Sequence, residues 1–171
     1  DFRMLSDDDF VEVMMHIKKD LMSAWPTKWI MTGLPHAFMP AILKPLGVRE
    51  KPTFFIEGLT GSGKTAMTFV LQWFWGQFET IPNMAGTAKG LLLGAYDYKD
   101  ALFVVDDYKG ANRQQIAALS EVIQYAYEPT GAMKLNRDSS MQTSRVPRGI
   151  LMFSGEEFLS SDAAKVARCI L

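Results

Sequence analysis

Cysteine is almost missing from this chain. Cys169 stands alone, which excludes an internal disulfide and argues against a cysteine-built zinc site. Histidine is nearly as scarce: His16 and His36 lie far apart and match no metal-ligand spacing, so structural or exposed roles are expected of both. Neither sign of charge dominates, since 18 basic and 19 acidic residues give a formal net charge of −1. A uniformly basic nucleic-acid coat is thereby excluded, although a local basic patch is not. No apolar run reaches the roughly 18 residues that a membrane span needs. No basic-then-apolar signal segment opens the chain. A cytoplasmic protein without membrane attachment is the expectation. Internal repeats and low-complexity tracts are missing too. What is present is 171 residues, 48% of them hydrophobic, enough for one sizeable core. The chain begins at Asp1 without a methionine and stops at Leu171 after an apolar run, so it is expected to be a piece of something longer, cut near its last core strand.

Two regions are expected: an N-terminal helical segment over 1–50 and an α/β core over 51–171. Ser6 is a plausible N-cap, with Asp7, Asp8 and Asp9 in a first turn where negative charge suits the helix dipole. Phe10, Val13, Met14, Ile17 and Leu21 follow at helical spacing and predict core or partner-helix packing. Trp25-Pro26 should end that helix, because the residue before proline avoids helical geometry. Five prolines between 26 and 52 predict short, kinked helical pieces rather than one long element. Strands are predicted at Thr53–Glu57, Ala101–Asp106, Gly149–Ser154 and Ala167–Leu171. Helices are predicted at Lys64–Phe78, 86–96 and Arg113–Tyr127. Strands alternating with helices imply a parallel sheet flanked by helices.

The strongest motif lies between the first core strand and helix. Gly58-Leu59-Thr60-Gly61-Ser62-Gly63-Lys64-Thr65 matches the G-x-x-x-x-G-K-[ST] phosphate loop completely, and Ala66 continues into the helix. Three glycines let the backbone curl so that its amides form an anion nest at a helix N-terminus. Lys64 supplies a full charge to the β- and γ-phosphates of ATP, and the Thr65 hydroxyl can sit on Mg²⁺.

A second motif runs four apolar residues into two acids, Leu102 to Asp107. In phosphate-loop proteins the strand beside the loop ends in an Asp that holds Mg²⁺, which is the role expected of Asp106. Asp107 is then the candidate base for the attacking water, with help from an acid such as Glu57; alternatively it caps the turn before Tyr108-Lys109-Gly110. The third strand ends at Ser154, whose hydroxyl can touch the γ-phosphate or the water, or can simply form a Ser-Gly turn. Glu156 and Glu157 read as solvated charges. Arg168 is either a surface residue or an arginine finger for a neighbouring subunit's site. Residues 128–148 can form a hairpin around Arg137-Asp138-Ser139-Ser140. Its Lys134, Arg137, Arg145 and Arg148 outnumber Glu128 and Asp138. Such a loop means little on one chain, but six copies around a ring make a positive pore.

Glu57–Thr65, Ala101–Asp107 and the run Pro147–Glu156 together resemble the helicase-like AAA+ ATPase domain of phage, plasmid and integrative-element replication proteins, relatives of superfamily 3 helicases. The resemblance spans about Pro35 to Leu171. It implies a P-loop NTPase fold of AAA+ type with a β-hairpin insertion, and a hexameric ring moving on single-stranded or forked DNA. Such ATPases commonly follow a primase module. It also implies Lys64 and Thr65 as Walker A residues and Asp106 and Asp107 as Walker B. Ser154 would fill the sensor position, Lys134 or Arg137 would lie on the DNA hairpin, and Arg168, or less well Arg148, would be the finger. Superfamily 3 enzymes usually carry Asn at the sensor position, and Ser154 departs from that pattern. Two other readings remain open from the residues alone: a nucleoside or small-molecule kinase, which the paired acids fit less well, and an ATP-gated DNA-binding switch or loader with little turnover.

Overall fold

The structure, a computed structural model, describes residues 6–43, 45–48, 50–127, 146–158 and 163–171. Helix α1 (Asp7–Ala24) starts as its sequence predicts. The Ser6 hydroxyl accepts from the Asp9 backbone N–H at 3.2 Å and donates to the Asp9 carboxylate at 2.6 Å. It ends before Trp25, whose backbone is extended (φ −133°). The apolar stripe meets the core at its C-terminal end, where Ile17 and Leu21 pack. Only Leu21 is buried, whereas Phe10 and Val13 are exposed by 54% and 43%.

Helix α2 (Thr27–Leu43) is one continuous element of 17 residues with Pro35 and Pro40 inside it, which corrects the prediction of short pieces. Each proline removes one backbone donor. Packing compensates: Ile30, Gly33, His36, Ala37 and Pro40 form a buried stripe at helical spacing, and the Trp75 indole N–H donates to the Ala37 carbonyl at 2.7 Å.

Among the described residues the core is a sheet of four strands, β1 (Thr53–Glu57), β2 (Leu102–Tyr108), β3 (Ile150–Gly155) and β4 (Cys169–Ile170), in the order β2-β3-β1-β4 and parallel throughout. Helices α3 (Lys64–Trp73), α4 (Ala88–Asp97), α5 (Arg113–Tyr127) and the short α6 (Ala163–Val166) complete it. Helix α3 stops short of the predicted Phe78, with Gly76 at φ 136° just beyond it. Alternation along the strands divides the core in two. Phe54, Ile56, Leu102, Val104, Ile150 and Met152 meet Ile30, Met67 and Leu71 on one face. Phe55, Phe103, Val105, Leu151 and Phe153 meet Leu91, Leu119, Val122 and Ile123 on the other. Each large side chain so buried contributes about 2 kcal/mol. Both faces are covered, which is why the strands read as unbroken apolar runs. No described helix is long and apolar enough to cross a membrane. Lys134, Arg137 and Arg145, with the predicted hairpin, lie outside the described residues.

Candidate functional site

Among the described residues, the chemistry-bearing motifs other than Arg148 and Arg168 converge on the carboxyl edge of the sheet, where ligands of open α/β folds bind. Strand β1 delivers Gly58, whose N–H donates to the Gly155 carbonyl of β3 at 3.2 Å. From there the loop curls through Gly61 (φ 79°) and Gly63 (φ 83°), left-handed backbone that side chains with a Cβ rarely adopt. Within the curl Ser62 returns both its N–H, at 3.2 Å, and its hydroxyl, at 2.7 Å, to the Leu59 carbonyl. Gly63 then caps α3, so Lys64, Thr65 and Ala66 open a helix whose N-terminal amides carry partial positive charge. The Lys64 ammonium donates to the carbonyls of Gly58 (2.6 Å) and Leu59 (2.8 Å), which keeps it on the loop.

Two tryptophans from the N-terminal segment support this loop. The Trp25 indole N–H donates to the Gly63 carbonyl at 3.0 Å. A Cβ placed on Gly58 would lie 2.9 Å from the Trp29 ring. Neither contact is legible in the sequence, where Trp25 signals only a helix end.

Asp106 does not come from the strand beside the loop, as expected, because β3 lies between β1 and β2. It reaches the loop nonetheless. Thr65 Oγ1 donates to Asp106 Oδ2 at 2.6 Å, and the Ser154 hydroxyl donates to Asp106 Oδ1. The Asp106 backbone is held from its outer side, its N–H donating to Pro82 O at 2.9 Å and its carbonyl accepting from Met84 N–H at 3.0 Å. One carboxylate thus gathers a hydroxyl from α3 and one from β3. Ser154 is buried and engaged with Asp106, so it is more than a turn residue.

Asp107 is arranged differently. It sits where the β2–β3 register shifts, at φ 61°, and pairs with Lys109 across 3.3 Å, both side chains about 60% exposed. It is thus an exposed acid at an irregularity near the end of β2. The acid that meets the loop is Glu156, whose Oε1 accepts from the Thr60 hydroxyl. Glu156 is exposed, as a solvated charge would be, and its carboxylate also meets the loop. Only the Glu that follows Ser154-Gly155 at a strand end hinted at it.

Arg168 lies at the opposite edge. Its carbonyl accepts from Thr53 N–H at 3.1 Å at the start of β1, its guanidinium donates to the Ala164 carbonyl at 3.1 Å, and it faces the Tyr127 ring at 5.6 Å. It therefore takes no part in its own chain's loop. Arg148 is occupied inside the fold: its guanidinium covers the Tyr96 ring at 3.9 Å and donates to the Tyr96 carbonyl at 2.8 Å. His36 is a core residue, as its isolation implied. Nε2–H donates to the Leu151 carbonyl at 3.2 Å, and burial pushes the imidazole pKa down to about 4. Among the described residues no group of three or more His, Cys, Asp and Glu side chains can hold a metal ion.

No family profile matches the chain, and no curated protein matches it. Among solved structures it is similar to the JCV helicase, in a crystal structure with a substituted phenoxyphenyl acetamide bound. Identity is 19%, the match covers 82% of this chain and 43% of that one, and the TM-score is 0.45.

Proposed function

We propose that this chain is the ATP-hydrolysing core of a ring-forming, helicase-like ATPase that works on single-stranded or forked DNA during replication of a mobile genetic element, joined to a primase module in the complete protein. The observation that supports this reading best is the gathering of Thr65 and Ser154 on the Asp106 carboxylate beside the Gly58–Thr65 loop. A hydroxyl and a carboxylate 2.6 Å apart are the hard oxygen donors that Mg²⁺ takes alongside phosphate oxygens. Thr65 and Asp106 would hold that ion, which supplies charge neutralisation between the β- and γ-phosphates when bound. The loop amides and the start of α3 receive phosphate oxygens, and the Lys64 ammonium leaves its two carbonyls for them. Ser154 keeps Asp106 oriented and is the sensor of the arrangement. Arg168, remote from its own loop, is assigned to a neighbouring subunit's site, and Lys134, Arg137 and Arg145 to the DNA path.

The test is ATP hydrolysis with and without single-stranded DNA, run with a solution mass measurement in ATP and Mg²⁺. The proposal expects DNA-stimulated turnover and a mass of several chains. Phosphoryl transfer to a small acceptor by a monomer would replace it with a kinase. Assembly without turnover would replace it with a switch or loader.

A further inference from the structure

Resting on the ATPase reading above, we infer that Glu156, not Asp107, is the base that takes the proton from the attacking water. Among the described strands, only β3 is flanked by both the loop strand β1 and the Asp106 strand β2. Its residue Gly155 is level with Glu57 on one side and Tyr108 on the other. The next residue therefore leaves the sheet between the phosphate loop and the end of β2. Glu156 carries its carboxylate onto the loop, where it accepts from the Thr60 hydroxyl. The neighbouring acids are directed elsewhere. Asp107 is turned by the register shift, at φ 61°, into an exposed pair with Lys109. Glu157 packs against Gly110 and Tyr108, on the β2–α5 side. Of the acids that close β2 and β3, Glu156 alone meets both requirements: a contact with the phosphate loop, through Thr60, and a side chain longer by one methylene than Asp107.

In the step itself the water oxygen forms a bond to the γ-phosphorus while the bond from that phosphorus to the β–γ bridging oxygen breaks. The electron pair of the broken bond leaves with ADP. The water proton passes to a Glu156 carboxylate oxygen and from there to the phosphate or solvent.

The experiment compares Glu156→Gln, Thr60→Val and Asp107→Asn with the wild type. It reads single-turnover phosphate release and the affinity for a fluorescent ATP analogue. Glu156→Gln keeps an acceptor for Thr60 but loses basicity. It should slow phosphate release about 100-fold or more, the scale of a lost general base, while leaving nucleotide affinity within about threefold. Thr60→Val and Asp107→Asn should each slow release less than tenfold. Equal losses in Glu156→Gln and Thr60→Val would mean that Glu156 only anchors the loop, and would overturn the assignment. So would a 100-fold loss in Asp107→Asn with near-normal release in Glu156→Gln. A wild type that neither binds nor hydrolyses ATP would remove the ATPase reading itself; a wild type that hydrolyses alongside an equally fast Glu156→Gln would remove the base assignment alone.

Discussion

The Trp25 indole N–H and the Gly63 carbonyl are hydrogen-bonded at 3.0 Å, so the residue that ends α1 is fastened to the last glycine of the phosphate loop. Removing that donor leaves the half-buried Gly63 carbonyl with only the Met67 N–H, at 3.0 Å, as its partner. Trp25→Phe keeps most of the ring packing and should cost about 1 kcal/mol of stability, the usual worth of one such bond. Because the lost bond belongs to the loop, nucleotide affinity should fall as well. Chemical denaturation and fluorescent-nucleotide titration check the two effects. A variant with reduced stability but unchanged affinity would show that Trp25 supports the fold and not the loop.

Gly63 and Asp107 both hold left-handed backbone at this edge, with opposite consequences for substitution. Gly63 (φ 83°) has no room for a side chain, because a Cβ there would lie 2.9 Å from Trp25 Nε1. Gly63→Ala should destabilise the protein by about 1–2 kcal/mol and weaken nucleotide binding. Asp107 (φ 61°) already accepts the strain, and Asn tolerates it equally well. Asp107→Asn should leave the melting temperature nearly unchanged, whereas Asp107→Val, β-branched, should lower it. Thermal unfolding of the three variants decides the matter; a stable Asp107→Val would mean that the turn is free to relax.

The phosphate loop, the apolar strands and the Ser6 cap were legible because each is local. A glycine pattern, a run of four apolar residues or a capping serine acts within a few residues of itself. What could not be read depends on partners distant in sequence. Pro35 and Pro40 argue against a long helix until the burial of Ile30, Ala37 and Pro40 against the sheet and the Trp75 bond to Ala37 are known. Thr60 and Glu156 are brought together only because β3 inserts between β1 and β2. Asp106 shows both sides of this. Its residue type and its place after an apolar run were readable, but its strand's position in the sheet was not.

The pair of hydroxyls on Asp106 predicts a graded series. Asp106→Asn keeps the shape of the side chain but loses the charge. It should raise the Mg²⁺ concentration needed for half-maximal ATP hydrolysis about tenfold or more, and turnover should fall with it. Ser154→Ala removes one donor and leaves the carboxylate charged, so its Mg²⁺ requirement should shift less, while kcat falls. Titrating Mg²⁺ at saturating ATP separates the two. Equal Mg²⁺ shifts in both variants would place Ser154 among the metal's own ligands.

His36 gives the fold a pH dependence whose direction follows from its burial. The imidazole is neutral in the folded chain, with its pKa pushed from 6.5 down to about 4, and its hydrogen bond to Leu151 offsets the burial only in part. In the unfolded chain it protonates near 6.5, so between pH 6.5 and 4 the unfolded state binds more protons. Stability is therefore fully present above about pH 6.5 and is lost as pH falls through that window. The loss from this one group approaches about 3 kcal/mol near pH 4, because each tenfold difference in proton affinity between the two states is worth about 1.4 kcal/mol. Carboxylates contribute at the acid end, so the measurement is a comparison: urea denaturation of wild type and His36→Leu at several pH values between about 4 and 7.5. The wild-type curve should fall more steeply than that of the variant, chiefly between about pH 6.5 and 5, where few carboxylates titrate. Parallel curves would mean that His36 gains its proton in the folded state without penalty, and that its place between Phe54 and the Leu151 carbonyl is open to water.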